Sequence, residues 1–168
     1  MLIVFTGSGK GKSTAATGQT IRAVGNGLRV AFGQFMKQPC QAGEQKILEK
    51  LLAGHFHASG PGFLCRPEER PAHRQAALKL LTWAKGRLTQ QLDLLVLDET
   101  LYVLEAGLLN REELTDLIDQ AAASEAHLLL TGRGLPAWLL DRSDLVTDMT
   151  LVKHPYDKGT PAMPGIEF

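Results

Sequence analysis

The feature that most constrains this chain is Gly7-Ser8-Gly9-Lys10-Gly11-Lys12-Ser13, placed directly after the apolar run Leu2-Ile3-Val4-Phe5-Thr6 and directly before a helical stretch. Strand, glycine-rich turn and helix in that order aim successive backbone N–H groups and a helix N-terminus at one point, which is how a chain holds an anion. This is the context of a phosphate-binding loop: the glycines permit the tight turn, Lys12 would neutralise phosphate charge, and Ser13 would offer its hydroxyl to Mg²⁺. The usual G-x-x-x-x-G-K-[ST] spacing asks for glycine at position 6, where this chain has Thr6; the available glycine is Gly7. The loop is therefore one residue tighter than usual and carries Lys10 as a second cation. A ligand-free turn is the plain alternative, and three glycines with two lysines in seven residues at a strand-to-helix junction argue against it.

The rest of the chain repeats the alternation of short apolar runs with helical stretches, the pattern of a parallel sheet flanked by helices. A helix is expected over 14–24, stopped by Gly25-Asn26-Gly27, then a strand over 28–32 and a helix over 44–53. Residues 59–71, with Pro61, Pro67 and Pro71 among glycines, read as an irregular loop before a long helix over about 72–91. Leu94-Leu95-Val96-Leu97 is a strand ending in Asp98-Glu99. Asn110 with Glu113 makes a capping box that opens a helix to Ala123. Further strands are expected over 128–131 and 145–149, and the stretch from Lys153 is a proline- and glycine-containing tail. The expected fold is α/β, a P-loop NTPase-like three-layer sandwich with a mainly parallel central sheet, in a single domain spanning 1–168.

Composition narrows the partners. Of 168 residues, 44% are hydrophobic and 21% charged, enough apolar material for a packed core, and 18 basic residues balance 18 acidic ones. No basic excess or run points to nucleic acid, and no apolar stretch approaches the roughly 18 residues of a membrane span. Met1 leads into the first strand without a charged leader, so no secretory signal and a cytoplasmic setting are expected. Cys40 and Cys65 form no CxxC pair. The five histidines make no metal set, and only His154, in the tail, stands out.

Asp98 and Glu99, at the end of an apolar strand, suit a metal-carboxylate element facing the phosphate loop; in a hydrolase Glu99 could also serve as a general base. A solvated acid pair at a strand end is the alternative. Loop and acids together indicate Mg-nucleotide binding without specifying a reaction.

The specific residues lie further on. Gly7–Lys12, Val30-Ala31-Phe32-Gly33-Gln34-Phe35-Met36-Lys37, Val96-Leu97-Asp98-Glu99, Thr131-Gly132-Arg133, Val152-Lys153-His154-Pro155 and the closing Gly165-Ile166-Glu167-Phe168 fall in order along the chain. In this set the chain resembles the P-loop type of corrinoid adenosyltransferase, from Leu2 to Phe168. The resemblance implies an enzyme that transfers the 5′-deoxyadenosyl group of ATP to the cobalt of a reduced corrinoid, in adenosylcobalamin biosynthesis or salvage, and releases triphosphate. Cobalt is then the nucleophile, no catalytic side chain is needed, and the protein supplies positioning and electrostatics. It further implies ATP, Mg²⁺ (or Mn²⁺) and a reduced corrinoid as co-substrate, a homodimer and an external flavoprotein reductant. Carried over by position, Gly7, Ser8, Gly9, Lys10, Gly11, Lys12 and Ser13 would cradle the triphosphate, with Thr14 at the helix start. Ser13, Asp98 and Glu99 would serve the metal. Arg22 would lie near the nucleoside, Gln34 and Lys37 at the ligand end of the second strand, Phe63 on the corrinoid side, and Arg133 as an anion contact. For Arg22 a solvated helix-end arginine, and for Phe35 a core position, are the plain alternatives.

The departures concentrate on the corrinoid side. The family's GFTW reads Gly62-Phe63-Leu64-Cys65, its DELNYAL reads Asp98-Glu99-Thr100-Leu101-Tyr102-Val103-Leu104, and Met163 stands where a glutamine is usual. These changes motivate a second expectation, an ATP-binding regulatory paralogue that has lost the corrinoid site. An ordinary P-loop ATPase or kinase is a third, and the missing glycine at position 6 counts against it.

Overall fold

The computed structural model describes residues 1–167; Phe168, part of the closing motif named above, lies outside the described residues. Six strands, β1 (Leu2–Thr6), β2 (Val30–Gln34), β3 (Phe56–Ala58), β4 (Leu94–Asp98), β5 (His127–Thr131) and β6 (Leu145–Asp148), form one sheet in the order β3-β2-β4-β5-β1-β6. Every pairing is parallel, so the expectation of a mainly parallel sheet becomes an all-parallel one. Among the described residues the α-helices are α1 (Lys12–Gly25), α2 (Gly43–Leu51), α3 (Arg70–Leu88), α4 (Thr100–Glu105), α5 (Arg111–Ala123) and α6 (Ala137–Arg142), with short 3-10 turns over Pro67–Glu69 and Pro155–Lys158.

Both sheet faces are covered, which is why the strands read as continuous apolar runs. Along β4, Leu94 and Val96 join Ala16 and Ala23 of α1 and Leu48 of α2 in one core layer. Leu95 and Leu97 point the other way, into a layer with Leu80 and Ala84 of α3 and Leu114 and Leu117 of α5. One-residue alternation along a buried strand thus supplies both layers of a three-layer sandwich.

The capping box at α5 forms as its residues indicate: Glu113 N–H donates to Asn110 Oδ1 at 2.8 Å and Asn110 N–H to Glu113 Oε2 at 2.9 Å. Other boundaries shift. The second strand starts at Val30 instead of Leu28, because the Leu28 N–H closes the end of α1 on the Ala23 carbonyl and Arg29 is held by Asp93. It also runs on to Gln34, where the polar side chain finds buried partners. Helix α1 begins at Lys12, two residues early, and α3 ends at Leu88. The short strand β3 and the helix α4 have too few residues to leave a periodicity in the sequence. Phe35 is a core residue, 2% exposed. Trp83 and Trp138 are half-buried against the core, Trp83 stacked on His57 with ring centroids 5.4 Å apart.

Candidate active site

In an open parallel sheet the strands deliver their following loops to one edge, and ligands bind there. The ends of β1, β2, β4, β5 and β6 bring Gly7–Gly11, Phe35–Lys37, Glu99, Gly132–Arg133 and Met149 to that carboxyl edge. Residues far apart in the chain become neighbours because β4 pairs with both β2 and β5.

At the end of β1, Gly7 and Gly11 take φ of +104° and +114°, so the chain turns sharply into α1. The N-terminus of α1 has no side-chain cap and no acidic residue in its first turn. Its N–H groups and dipole therefore face the loop unopposed. Lys12, 9% exposed, folds back so that Nζ donates to the Gly7 carbonyl at 2.8 Å and the Gly9 carbonyl at 2.6 Å. Burial pulls its pKa below the usual lysine value, Arg133 adds to that, and Glu99, Asp98 and Asp148 act in the opposite sense. Lys12 thus feels the ends of β4, β5 and β6.

The acids at the end of β4 differ sharply from each other. Asp98 is fully buried, with both carboxylate oxygens engaged: Thr131 Oγ1 donates to Oδ1 at 2.6 Å, and Gln34 Nε2 and Lys37 Nζ each donate to Oδ2 at 3.1 Å. The same two donors reach Glu44 Oε1, Gln34 at 3.2 Å and Lys37 at 2.8 Å. Gln45 completes the network by donating to Gln34 Oε1 at 2.8 Å. For Lys37 burial acts to lower the pKa, yet Asp98 and Glu44 outweigh it and the net shift is upward. For Glu44 burial acts upward, yet the hydrogen bond and charge of Lys37 bring it below the usual carboxylate range.

Glu99 sits in the left-handed region, φ +62°, an uncommon place for a residue with a Cβ. Its N–H donates to Thr131 Oγ1 at 3.0 Å. Burial, then the charge of Asp98, raises its pKa above the usual value, opposed by Lys37, Lys12 and Arg133. A cluster of charged groups with shifted pKa values at the strand ends marks a candidate functional site.

Of the residues singled out in the sequence, the fold gathers Gly7–Ser13, Gln34, Lys37, Asp98, Glu99 and Arg133 at one edge. Thr14 follows on the first turn of α1. Arg22 is elsewhere: it is exposed in the last turn of α1, about 14 Å of helix rise from Ser13. Phe63 is 82% exposed on a loop moored to the end of β2, where Gly60 N–H donates to the Lys37 carbonyl at 3.0 Å and Gly62 N–H to the Met36 carbonyl at 2.7 Å. Cys65, on the same loop, is exposed, while Leu101 is buried in the core. Sequence reasoning passed over Thr131 as a ligand of the acids, Glu44 and Gln45 as network members, and Asp148.

The profile of the ATP:corrinoid adenosyltransferase BtuR/CobO/CobP family matches residues 1–168. The corrinoid adenosyltransferase CobA of Salmonella typhimurium is 36% identical over 169 residues, covering 100% of this chain and 85% of its own. A corrinoid adenosyltransferase of Pseudomonas aeruginosa is 35% identical over 173 residues, covering 100% of this chain and 83% of its own. One from Escherichia coli is 34% identical over 169 residues, covering 100% and 85%. With the full length matched, from the tight loop after β1 to the tail, this chain belongs to the ATP:corrinoid adenosyltransferase family, and ATP-dependent adenosylation of a corrinoid is its activity.

Proposed function

We propose that the triphosphate of ATP lies on Gly7–Ser13, with Lys10, Lys12 and Arg133 offsetting its charge and the N-terminus of α1 facing it. The observation that carries this reading is the uncapped, acid-free first turn of α1 behind two lysines. Lys12 Nζ now satisfies two loop carbonyls, contacts that a phosphate oxygen would share or replace without moving the backbone. The residues also suit Mg²⁺. Among the described residues no group of three or more His, Cys, Asp or Glu is placed to hold an ion. Ser13 and Glu99 supply two oxygen donors, and Mg²⁺ commonly takes few protein ligands, completing its octahedron with phosphates and water. Asp98, with both oxygens engaged, lies next to Glu99 and acts through its buried hydrogen-bond network. Bound Mg²⁺ would supply charge stabilisation to the departing triphosphate.

In this reading the chain's own part in transfer is to hold and aim. A cobalt(I) corrinoid donates its electron pair to C5′ of the ribose, the C5′–O bond breaks, and the pair leaves with triphosphate. The loop keeps the leaving group fixed while its charge grows, and the protein provides no nucleophile or general base. Gln34 and Lys37 act by holding Asp98; Phe63, on the moored loop, faces the corrinoid; Arg22 reaches the nucleoside only if ATP extends along α1. In this reading the enzyme works as a homodimer with an external flavoprotein reductant, in the cytoplasm. No helix among the described residues is long and apolar enough to cross a membrane.

The test is anaerobic incubation with Mg-ATP and a chemically reduced corrinoid, reading nucleotide products and the cobalt spectrum together. Triphosphate with a new adenosyl–cobalt band is the expected result, lost in Lys12→Ala. A full rate and unchanged ATP affinity in Lys12→Ala would remove the phosphate-loop assignment.

A further inference from the structure

The three loop glycines share one neighbour. A Cβ on Gly7 would overlap Asp148 Oδ1 and stand 2.5 Å from the Met149 carbonyl oxygen; one on Gly9 would stand 2.6 Å from the same oxygen; one on Gly11 would touch Met149 Sδ at 3.4 Å. The Gly9 N–H donates to that carbonyl at 2.6 Å, the Met149 N–H to Thr6 at 2.9 Å, and the Leu151 N–H reaches Ser8 Oγ at 3.4 Å. Residues 148–151 therefore form a strap against the loop. At Gly9 the strap occupies the space of a side chain, and at Gly7 it does so where the φ of +104° already favours glycine. One loop amide, that of Gly9, is spoken for by protein.

The strap opens with an acid. Asp148 pairs with Thr6 in the β1–β6 ladder, is exposed, and its Oδ1 covers the Cα of Gly7, where it acts on Lys12. A negative charge at this point repels what Lys10, Lys12 and Arg133 attract. We propose that Asp148 tunes the affinity of the phosphate loop: it limits how tightly polyphosphate is held, so that triphosphate leaves after adenosyl transfer. The proposal rests on the reading of Gly7–Ser13 as the triphosphate cradle. Its physical sense is that a hold equally tight on substrate and product adds nothing to the rate of the chemical step, while product departure often limits turnover.

The experiment is calorimetric binding of inorganic tripolyphosphate, in metal-chelated buffer, to wild type, Asp148→Asn, Asp148→Ser and Lys12→Met, with melting curves to confirm that each is folded. Both Asp148 variants are expected to bind about three- to tenfold tighter at low ionic strength, as removal of one nearby like charge at an exposed site implies. The gain should shrink in high salt, where the Debye length falls to about 3 Å at 1 M; a purely structural effect of residue 148 would not follow salt in this way. Lys12→Met is expected to lose binding. Unchanged or weaker binding by both Asp148 variants, with Lys12→Met still defective, overturns the proposal and leaves the cradle reading standing. Wild-type binding by Lys12→Met overturns the cradle reading and the proposal with it.

Discussion

Thr131 Oγ1 donates to Asp98 Oδ1 at 2.6 Å, and through the same oxygen Thr131 accepts the N–H of Glu99 at 3.0 Å. One hydroxyl on β5 therefore fixes both the carboxylate and the strained backbone of the adjacent acid on β4. Thr131→Val keeps the shape and removes both bonds, leaving a fully buried carboxylate short of a donor. A loss of about 2 kcal/mol in urea unfolding is expected, since hydrogen bonds to buried charged groups are worth roughly 1.5–3 kcal/mol. Thr131→Ser should recover most of it. Equal stability of the valine variant and wild type would show that the hydroxyl does not hold the acids.

Lys37 stands between two carboxylates, Glu44 at 2.8 Å and Asp98 at 3.1 Å. Lys37→Met strands both acids, whereas Glu44→Gln leaves Lys37 paired with Asp98. The methionine variant is therefore expected to be the more damaged, by about 3 kcal/mol against about 1 kcal/mol, because breaking a buried pair leaves an uncompensated charge. Chemical denaturation of the two variants checks the order. If Lys37→Met melts like wild type but loses ATP affinity, Lys37 is a nucleotide contact first.

Gly60 lies under the end of β2, where a Cβ would overlap the Met36 backbone. Gly60→Ala must push the loop off Met36 and Lys37, breaking the Gly60–Lys37 and Gly62–Met36 bonds. Forced overpacking of this kind costs about 1–3 kcal/mol. The loop carrying Phe63 should also become more open to limited proteolysis and corrinoid turnover should fall. A protease pattern identical to wild type would show that the mooring bonds do not order this loop.

Between α3 and α5, Arg74 Nη1 donates to Glu113 Oε2 and to the Leu108 carbonyl, both at 2.7 Å. The hydrogen bond from Arg74 holds the folded pKa of Glu113 below the ordinary value. A depressed folded pKa means stability that is present above the unfolded value and is lost as pH falls through the folded one. The pair is partly exposed, so its contribution is discounted to about 1 kcal/mol or less. Glu113→Gln should lie below wild type at neutral pH and approach it in acid, read as melting temperature against pH. A gap that is constant with pH would assign the effect to the α5 cap instead.

Much of this protein was legible in the chain alone. The run Leu2–Thr6 with Gly7–Ser13 named a strand, a tight glycine-rich turn and a helix, because such a turn and a helix N-terminus are local in sequence. Asn110 with Glu113 wrote the start of α5 for the same reason. The buried strands announced a two-sided parallel sheet through their unbroken apolar runs. Tertiary structure decided the rest. Only the pairing of β4 with β2 and β5 makes Gln34, Lys37 and Thr131 the donors to Asp98, with Glu44 sharing the first two. Only the placement of β6 beside β1 lays Asp148–Met149 against Gly7 and Gly9, so that glycines read as permitting a tight turn also make room for protein. Both relations join residues tens to more than a hundred positions apart. Their partners are set by sheet order and packing, and side-chain periodicity along the chain carries no record of which strand ends will meet.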